Sequence, residues 1–351
     1  MPKGEYLQYG GQAIIEGVMM RTPRYFAISC RAPNGEIVTT TEAVETTWIG
    51  RQKWLKFPFL RGSLALLDSM ALGIRSMRFA SNVQLDEEYQ PAAEPGPFSH
   101  NPESPQELAI EADLLGRPAT LGTAVPKAGP SKKVQDASVV GAMIFALIFG
   151  IVLFNLMPNM ISALLSKKMG VKSDSLINLT TETIKVVFFI GYIWLISRLP
   201  DIKRVFQYHG AEHKAINTLE AEQELTLENC RAQTRLHPRC GTSFAIVVLI
   251  VSIILFTPLP RPHGYNTVVI ALMRFAMEIP LMLVVAGVSY ELIRLAGRFR
   301  HSGFVTALFF PGLMTQYITT NEPDPDQIEV ALTALKACIA AEEAASAAVP
   351  A

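Results

Sequence analysis

The sequence is poor in charged residues. Only 18% of its 351 residues are charged, 50% are hydrophobic, and 31 basic residues are balanced by 31 acidic ones. The mean hydropathy of +0.27 is high for a soluble chain. Because the chain has no net positive charge, nucleic acid is not an expected partner. The high hydropathy makes a lipid bilayer the expected partner instead.

The sequence is also poor in cysteine. Its four cysteines, at positions 30, 230, 240 and 338, are too few and too scattered for a disulfide framework, which favours a reducing compartment. The opening residues MPKGEYLQYGGQ lack the apolar core of a secretory signal peptide. We therefore expect membrane insertion to depend on internal segments.

Long apolar runs occupy the second half of the chain. Because about 20 helical residues cross the ~30 Å hydrocarbon core of a bilayer, residues 136–303 predict a membrane α-helical bundle of about four spans. The candidate spans are residues 139–157, 184–197, 243–256 and 267–293.

The fourth candidate span contains two opposite charges. Arg274 and Glu278 are four residues apart, so they share one face of a helix and predict an intramembrane ion pair that faces the bundle. Pro280 follows them and leaves two structures open, one continuous span or two half-helices.

The basic residues predict the orientation of the bundle. Lysine and arginine are concentrated before the first candidate span, in the loop 198–242, and after the fourth candidate span. By the positive-inside rule, this loop and both termini are expected in the cytoplasm. The expected location is the inner (plasma) membrane, with several spans.

The first 83 residues predict two smaller units. Residues 1–58 predict a small cytoplasmic β-hairpin unit, because YFAISC and EIVTTT flank the turn Ala32-Pro33-Asn34-Gly35. Residues 59–83 have Leu and Met at helical spacing and predict an amphipathic helix in the membrane interface. A soluble helix bound to a protein partner is the alternative interpretation.

Two further segments surround the bundle. Residues 84–135 are rich in Pro, Ala, Glu, Gly and Ser, which predicts a flexible linker. Residues 304–351 predict an interfacial segment interrupted at Pro311, followed by a C-terminal amphipathic helix with Pro325 at its first position.

The loop 198–242 contains two pairs of metal-binding residue types. His209 and His213 belong to an H-x-x-E-H pattern, which places two imidazoles one turn apart on a helix; two packed core histidines are the alternative. His237 and Cys240 belong to His-Pro-Arg-Cys-Gly, which resembles a zinc-ribbon knuckle with histidine in place of the first cysteine. A shared site explains both pairs, and imidazole with sulfur favours zinc.

The role of this zinc is left open by the pattern. If all four residues bind the ion, they close a tetrahedral shell, which is typical of structural zinc. If one does not, water takes its place and Glu212 is the candidate general base. The Glu16 carboxylate is a candidate to bind the metal or to accept a hydrogen bond from the second nitrogen of a histidine ligand. The alternative interpretation is an ion pair with Arg21 or Arg24.

Four segments of the chain resemble one known family. GGQAIIEGVMMR, HGAEHK, LHPRCGTSF and PGLMTQYITTNEP together are similar to the YqhQ-like family of bacterial integral membrane proteins, a domain of unknown function described as a predicted metal-dependent enzyme. The resemblance covers residues 8–80 and 136–340. It implies that Glu16 and Arg21 belong to the functional unit and that the metal site is carried by His209, Glu212, His213, His237 and Cys240.

Three functions are consistent with these patterns. The first is a zinc-dependent hydrolase at the cytoplasmic membrane surface, acting on a peptide or lipid-derived substrate with Glu212 as base. The second is a non-enzymatic scaffold or assembly factor, in which a structural zinc fixes the loop and the C-terminal helix recruits a membrane-protein or peptide partner. The third is a transporter that uses Arg274 and Glu278.

Overall fold

The structure, a computed structural model, is mostly helical with one small antiparallel sheet near the N-terminus. It describes residues 9–44, 60–91, 141, 144–238, 240–298 and 303–347. The strands are β1 (Gly10–Ile14), β2 (Gly17–Arg21), β3 (Tyr25–Arg31) and β4 (Ile37–Ala43). The helices are α1 (Leu60–Leu85), α2 (Ile144–Met169), α3 (Asp174–Ile196), α4 (Pro200–Glu220), α5 (Leu227–Ala232), α6 (Gly241–Phe256), α7 (Thr267–Arg298), α8 (Gly303–Thr319) and α9 (Pro325–Ala347).

The sheet is a meander in the order β1-β2-β3-β4. The predicted hairpin is β3–β4, closed by the pair Arg31↔Ile37, and Gly35 supplies the positive φ of 90° that its turn requires. A second hairpin, β1–β2, precedes it and was not predicted from the sequence. Its two-residue turn places Glu16 at a φ of 51°.

Both faces of the sheet are covered by helices. Alternate side chains of a strand point to opposite faces, and in β2 both sets are apolar and buried. Val18 and Met20 pack with α4 and α9, whereas Met19 packs with Leu72 of α1. The sheet therefore lies between α1 on one face and the pair α4 and α9 on the other.

The predicted interfacial helix is α1, which extends to residue 85 rather than 83. Leu72, Ala80 and Val83 face the sheet and are buried. The opposite face of α1 exposes a stripe of large apolar side chains at helical spacing, namely Leu67, Met70, Ile74 and Met77. An exposed apolar stripe of this kind is typical of a helix that contacts another apolar surface.

Three helices among the described residues are long and apolar enough to cross a membrane: Ile144–Met169, Asp174–Ile196 and Thr267–Ile293. These helices correspond to the first, second and fourth of the predicted spans. The third predicted segment forms α6, whose 16 residues are fewer than the about 20 that span a hydrocarbon core. It packs against α7 and α8.

Proline does not divide the last two apolar helices. Helix α7 runs through Pro280 as one helix, so the two half-helices left open by the sequence are not formed. Helix α8 runs through Pro311, where the sequence predicted an interruption. Next to Pro311, Gly312 lies against Ser243 of α6, and a β-carbon there would stand 3.0 Å from the Ser243 Cα. Close packing against α6 thus supports α8 at this point.

Helix α9 begins at Pro325, as predicted, and packs on α4, β2 and β3. Its buried residues include Ile328, Val330 and Leu335, which join the core shared with the sheet. Most of the predicted linker, from residue 92 to 135, lies outside the described residues, as do residues 45–58 of the predicted β unit.

Candidate metal centre

Helix α4 carries the first two candidate ligands. It starts at Pro200, where the missing N–H of proline costs no helical hydrogen bond. His209 and His213 are one turn apart on α4, and their ring centroids are 4.4 Å apart. His213 is 1% exposed, so its imidazole is held within the protein rather than in solvent.

Cys240 completes a group of three possible ligands. It caps the N-terminus of α6, and its Sγ accepts a hydrogen bond from the Thr242 N–H at 3.4 Å. The Sγ lies 3.1 Å from the His209 Nε2. One ligand atom each from His209, His213 and Cys240 all lie within 4.8 Å of one another. The structure thus brings together residues from the two pairs predicted to share a site.

Backbone carbonyls orient both imidazoles. The Nδ1 of His209 lies 2.8 Å from the Thr319 carbonyl oxygen, and the Nδ1 of His213 lies 2.6 Å from that of Arg235. A carbonyl only accepts, so each Nδ1 carries the proton and each Nε2 keeps a lone pair. The Nε2 of His213 is buried and has no hydrogen-bond partner. An orphaned buried nitrogen that faces a thiol fits a zinc ligand.

Burial also favours the metal-binding form of His213. Burial lowers the pKa of its imidazole, the neighbouring His209 lowers it further, and the Cys240 side chain opposes the shift. A neutral imidazole is therefore the dominant form near neutral pH, and only the neutral form binds a metal ion.

His237 lies beside this group with a different partner. Its ring centroid is 5.6 Å from that of His213, but its Nε2 lies 3.3 Å from the Glu220 carboxylate. Its backbone is held on both sides by the Gln316 side chain, which accepts from the His237 N–H and donates to its carbonyl, each at 2.8 Å. Three of the four predicted ligands are grouped, and the fourth is turned towards Glu220.

Glu212 is buried on the adjacent face of α4. It is 5% exposed, and its carboxylate accepts a hydrogen bond from the Gly11 N–H of β1. A β-carbon at Gly11 would stand 2.8 Å from the Glu212 Cγ, so only glycine allows this approach. Burial raises the pKa of Glu212 to about 7, against the opposing effects of His209 and the Gly11 N–H.

A cavity of about 660 Å³ connects these groups. His209, Glu212 and Cys240 line it together with residues of β1, α1, α6 and α7. This volume lies within the ~300–1,000 Å³ typical of small-molecule sites. Two of the three grouped residues, His209 and Cys240, therefore face a space that a substrate can occupy, as does His237.

Comparison with known proteins identifies the family. A family model described as a protein of unknown function, DUF1385, matches residues 57–341, most of the chain. The chain belongs to this family. It is also 30% identical over 325 residues to the uncharacterized protein YqhQ of Bacillus subtilis (strain 168), which covers 92% of this chain and 90% of that protein. The predicted YqhQ-like membership is thereby confirmed, and no solved structure matches the chain.

The DUF1385 match contains the three grouped residues and leaves Glu16 outside it. Glu16 binds α4 one turn before His209: its carboxylate accepts from both the Nε and the Nη2 of Arg204 and from the Tyr208 hydroxyl at 3.2 Å. Its described partners are therefore neither the metal ligands nor the two arginines considered from the sequence. Those arginines pair elsewhere, Arg21 with Asp68 and Arg24 with Glu342.

Sequence reasoning missed the groups that position the ligands. Thr319 and Arg235 act through backbone carbonyls, which leave no side-chain signal, and Gln316 acts through a short polar side chain in an apolar helix. The available signal was the segment PGLMTQYITTNEP, which carries the family resemblance and contains both Gln316 and Thr319.

The second predicted polar feature of this DUF1385 chain lies among α2, α3 and α7. Arg274 and Glu278 form an ion pair at 3.2 Å, and both are buried. Lys185 of α3 binds Glu278 at 2.9 Å, and Asn155, in a π-helical turn of α2, donates to it at 3.4 Å. The pair thus belongs to a wider buried network.

Proposed function

We propose that this DUF1385 chain is an integral membrane zinc enzyme that hydrolyses its substrate at the cytoplasmic face. The observation that carries the proposal is the group of His209, His213 and Cys240, of which His209 and Cys240 line a cavity, with the His237 ring turned towards Glu220. Three protein ligands and an open fourth position are typical of catalytic zinc, whereas structural zinc is closed by four.

The residues around the site support a hydrolytic reaction. When bound, zinc supplies a Lewis acid that polarises the substrate and acidifies a water molecule. Glu212 lines the same cavity and takes the proton from the attacking water. The water then adds to the carbonyl carbon of the substrate, the bond from this carbon to the leaving group breaks, and Glu212 returns the proton to the leaving group. The Gly11 N–H holds the Glu212 carboxylate in place for both transfers.

The membrane location is supported by the three apolar helices and by one feature at the end of α3. Trp194 is 50% exposed, and the Arg198 guanidinium lies over its ring at 4.6 Å. Tryptophan and arginine at the end of an apolar helix are typical of a membrane–water interface. The basic loop 198–242, with the zinc ligands, then lies on the cytoplasmic side, as do both termini.

The proposal is tested by separating metal binding from turnover. We expect the purified wild-type protein to hold one zinc ion, and His209→Ala and Cys240→Ser to lose it. Glu212→Gln should keep zinc and a wild-type unfolding temperature but lose hydrolysis. Glu228→Gln, an exposed change on α5, is the matched control and should retain activity.

A structural zinc in a scaffold is the second candidate, because the His237 ring is close enough to His213 that a rotation would close a four-ligand shell. Joint loss of zinc and folded protein in His237→Ala would favour it. Zinc retention in His237→Ala with a folded protein would support the open, catalytic site.

A further inference from the structure

We infer that the substrate is an extended peptide segment that pairs with β1 as a fifth strand of the sheet. The inference rests on the proposed hydrolase for its chemistry, but the binding step is independent of turnover. Three features support it: the edge of β1 that no described strand pairs with, the position of Glu212 on that edge, and the walls of the cavity.

The hydrogen-bond pattern of the sheet shows which groups of β1 are free. The Arg31 N–H donates to the Glu16 carbonyl at 2.8 Å. Backbone groups alternate in direction along a strand, so Gly17, Met19 and Arg21 of β2 point towards β1. Their register partners in β1 are Ile14, Gln12 and Gly10.

The residues between them, Gly11 and Ala13, therefore point their N–H and C=O groups away from the sheet. Among the described residues β1 is the first strand of the sheet, and no described strand pairs with this edge. Gly10, Gly11, Gln12 and Ala13 all line the cavity, and Gly11 and Gln12 are exposed. An accessible strand edge within a cavity is a template for an added extended backbone.

Glu212 lies on the same edge. The Gly11 N–H donates to the Glu212 carboxylate, which is the outward direction that the alternation requires. Among the described residues, no hydrogen bond is formed by the Ala13 N–H, two positions further along the edge. A peptide that accepts a hydrogen bond from the Ala13 N–H would therefore run directly towards Glu212 and the metal ligands.

The other cavity walls indicate the side chains that such a peptide carries. They are largely apolar and include Met70, Phe206, Phe244, Tyr290 and Ile293. Among the described lining residues, Glu212 has the only carboxylate and no lysine or arginine is present. This lining fits apolar side chains and provides no cation for an acidic peptide or a phosphate headgroup.

The cavity also lies next to the apolar surface of the protein. Gly62 of α1 packs on Tyr290 of α7 so closely that a β-carbon added at Gly62 would stand 2.6 Å from the Tyr290 Cβ. Two turns later in α1, Met70 lines the cavity and is 56% exposed. Ile293 is the last residue of the candidate span in α7. An apolar peptide segment at the membrane surface can therefore reach the edge of β1.

The test measures binding of a dansyl-labelled hexapeptide of alternating Ala and Leu with a central Phe, by fluorescence polarisation. The full-length Glu212→Gln protein in phosphatidylcholine nanodiscs is used, so that cleavage does not interfere. We expect N-methylation of the peptide to weaken binding at least ten-fold at every second amide and to have little effect at the amides between. This alternation is a signature of strand pairing.

A pair of proline variants locates the pairing edge. Ala13→Pro removes the outward N–H of β1 and should weaken binding at least ten-fold. Thr41→Pro is the matched control, because the same alternation points its N–H outward at the opposite edge, β4. It should bind the peptide as the parent protein does. If Ala13→Pro does not fold, the N-methyl series on the parent protein decides.

Three results would overturn the inference. The first is that N-methylation weakens peptide binding equally at all amides. The second is that a folded Ala13→Pro variant binds the peptide as tightly as the parent protein does. The third is that a dansyl dodecanoyl amide binds as tightly as the peptide, which would indicate an acyl substrate. The proposed hydrolase fails separately, if wild-type protein with bound zinc leaves a tightly bound peptide uncut.

Discussion

The backbone carbonyl of Asn321 occupies the space in which the β-carbon of any other residue at position 210 would stand. Gly210 therefore lets the segment after α8 lie directly on α4, where the Asn321 N–H donates to the Phe206 carbonyl at 2.8 Å. This contact brings the Thr319 carbonyl to the Nδ1 of His209. The glycine inside H-x-x-E-H thus positions one of the candidate ligands.

Replacement of this glycine is expected to destabilise the protein. Gly210→Ala forces the segment at Asn321 away from α4, which should lower the free energy of unfolding by about 1–3 kcal/mol and weaken zinc binding. Thermal unfolding and metal content measure the two effects. Gly191→Ala is the control, because its added methyl group would meet no atom within 4 Å beyond the adjacent backbone of its own helix, and α3 should gain slightly in stability. Equal behaviour of the two variants would contradict the packing argument.

Three of the four cysteines, Cys30, Cys240 and Cys338, should differ in reactivity. Burial raises the pKa of Cys30 to about 12, with a contribution from Glu16, and burial raises that of Cys338 to about 11. Both therefore remain protonated thiols near neutral pH, and both are fully buried. Cys240 lines the cavity, so N-ethylmaleimide should modify it first in metal-depleted protein, and zinc should protect it. Peptide mass spectrometry measures the sites, and faster modification of Cys30 would contradict the buried sheet.

Acid should release α9 from the sheet. Burial acts to raise the pKa of Glu342, but hydrogen bonds from Thr22 and Arg24 outweigh it and lower the pKa below 4.5. A lowered carboxyl pKa contributes stability above the unfolded-state pKa, and this contribution is lost as the pH falls through the folded-state value. The hydrogen-exchange protection factors of α9, which are corrected for the intrinsic exchange rate, should therefore fall at acidic pH. Glu342→Gln should lose this pH dependence, whereas the exposed neighbour change Glu343→Gln should keep it.

The buried ion pair of α7 should respond differently to single and joint replacement. Arg274→Met leaves Glu278 with one cation fewer and should destabilise the protein by about 3–5 kcal/mol, whereas joint replacement with Glu278→Leu should cost much less. Unfolding temperature in detergent measures both. Bound zinc should be unchanged in each variant. Loss of function in a stable, zinc-loaded double variant would favour the transporter instead of the hydrolase.

The predictability of each element depended on how clearly its residues repeat. Helix α1 and the start of α9 were predicted within two residues, because helical spacing and Pro325 mark them. The β1–β2 hairpin was missed because GVMMR is buried on both faces and so shows no alternation, and because its turn, Ile15-Glu16, lacks the usual glycine or asparagine. The third candidate span forms the apolar helix α6, which at 16 residues is shorter than the helices of the other three.

The candidate site was predictable only as far as spacing determines geometry. The four-residue spacing placed His209 and His213 on one face of α4 without any tertiary information. The three-residue spacing of His237 and Cys240 predicted two ligands, yet Glu220 binds the His237 imidazole. That competition is tertiary, since Glu220 lies at the last turn of α4 and His237 approaches it from the far end of the loop.

The site also depends on a late part of the chain. The carbonyl that orients His209 belongs to Thr319, and Asn321 locks that segment in place, more than one hundred residues after α4 begins. A nascent chain still missing this region holds both histidines and the thiol but not the geometry that aims them. If the proposed function holds, we therefore expect metal acquisition to follow synthesis of this region, and a stalled or truncated product to bind no zinc.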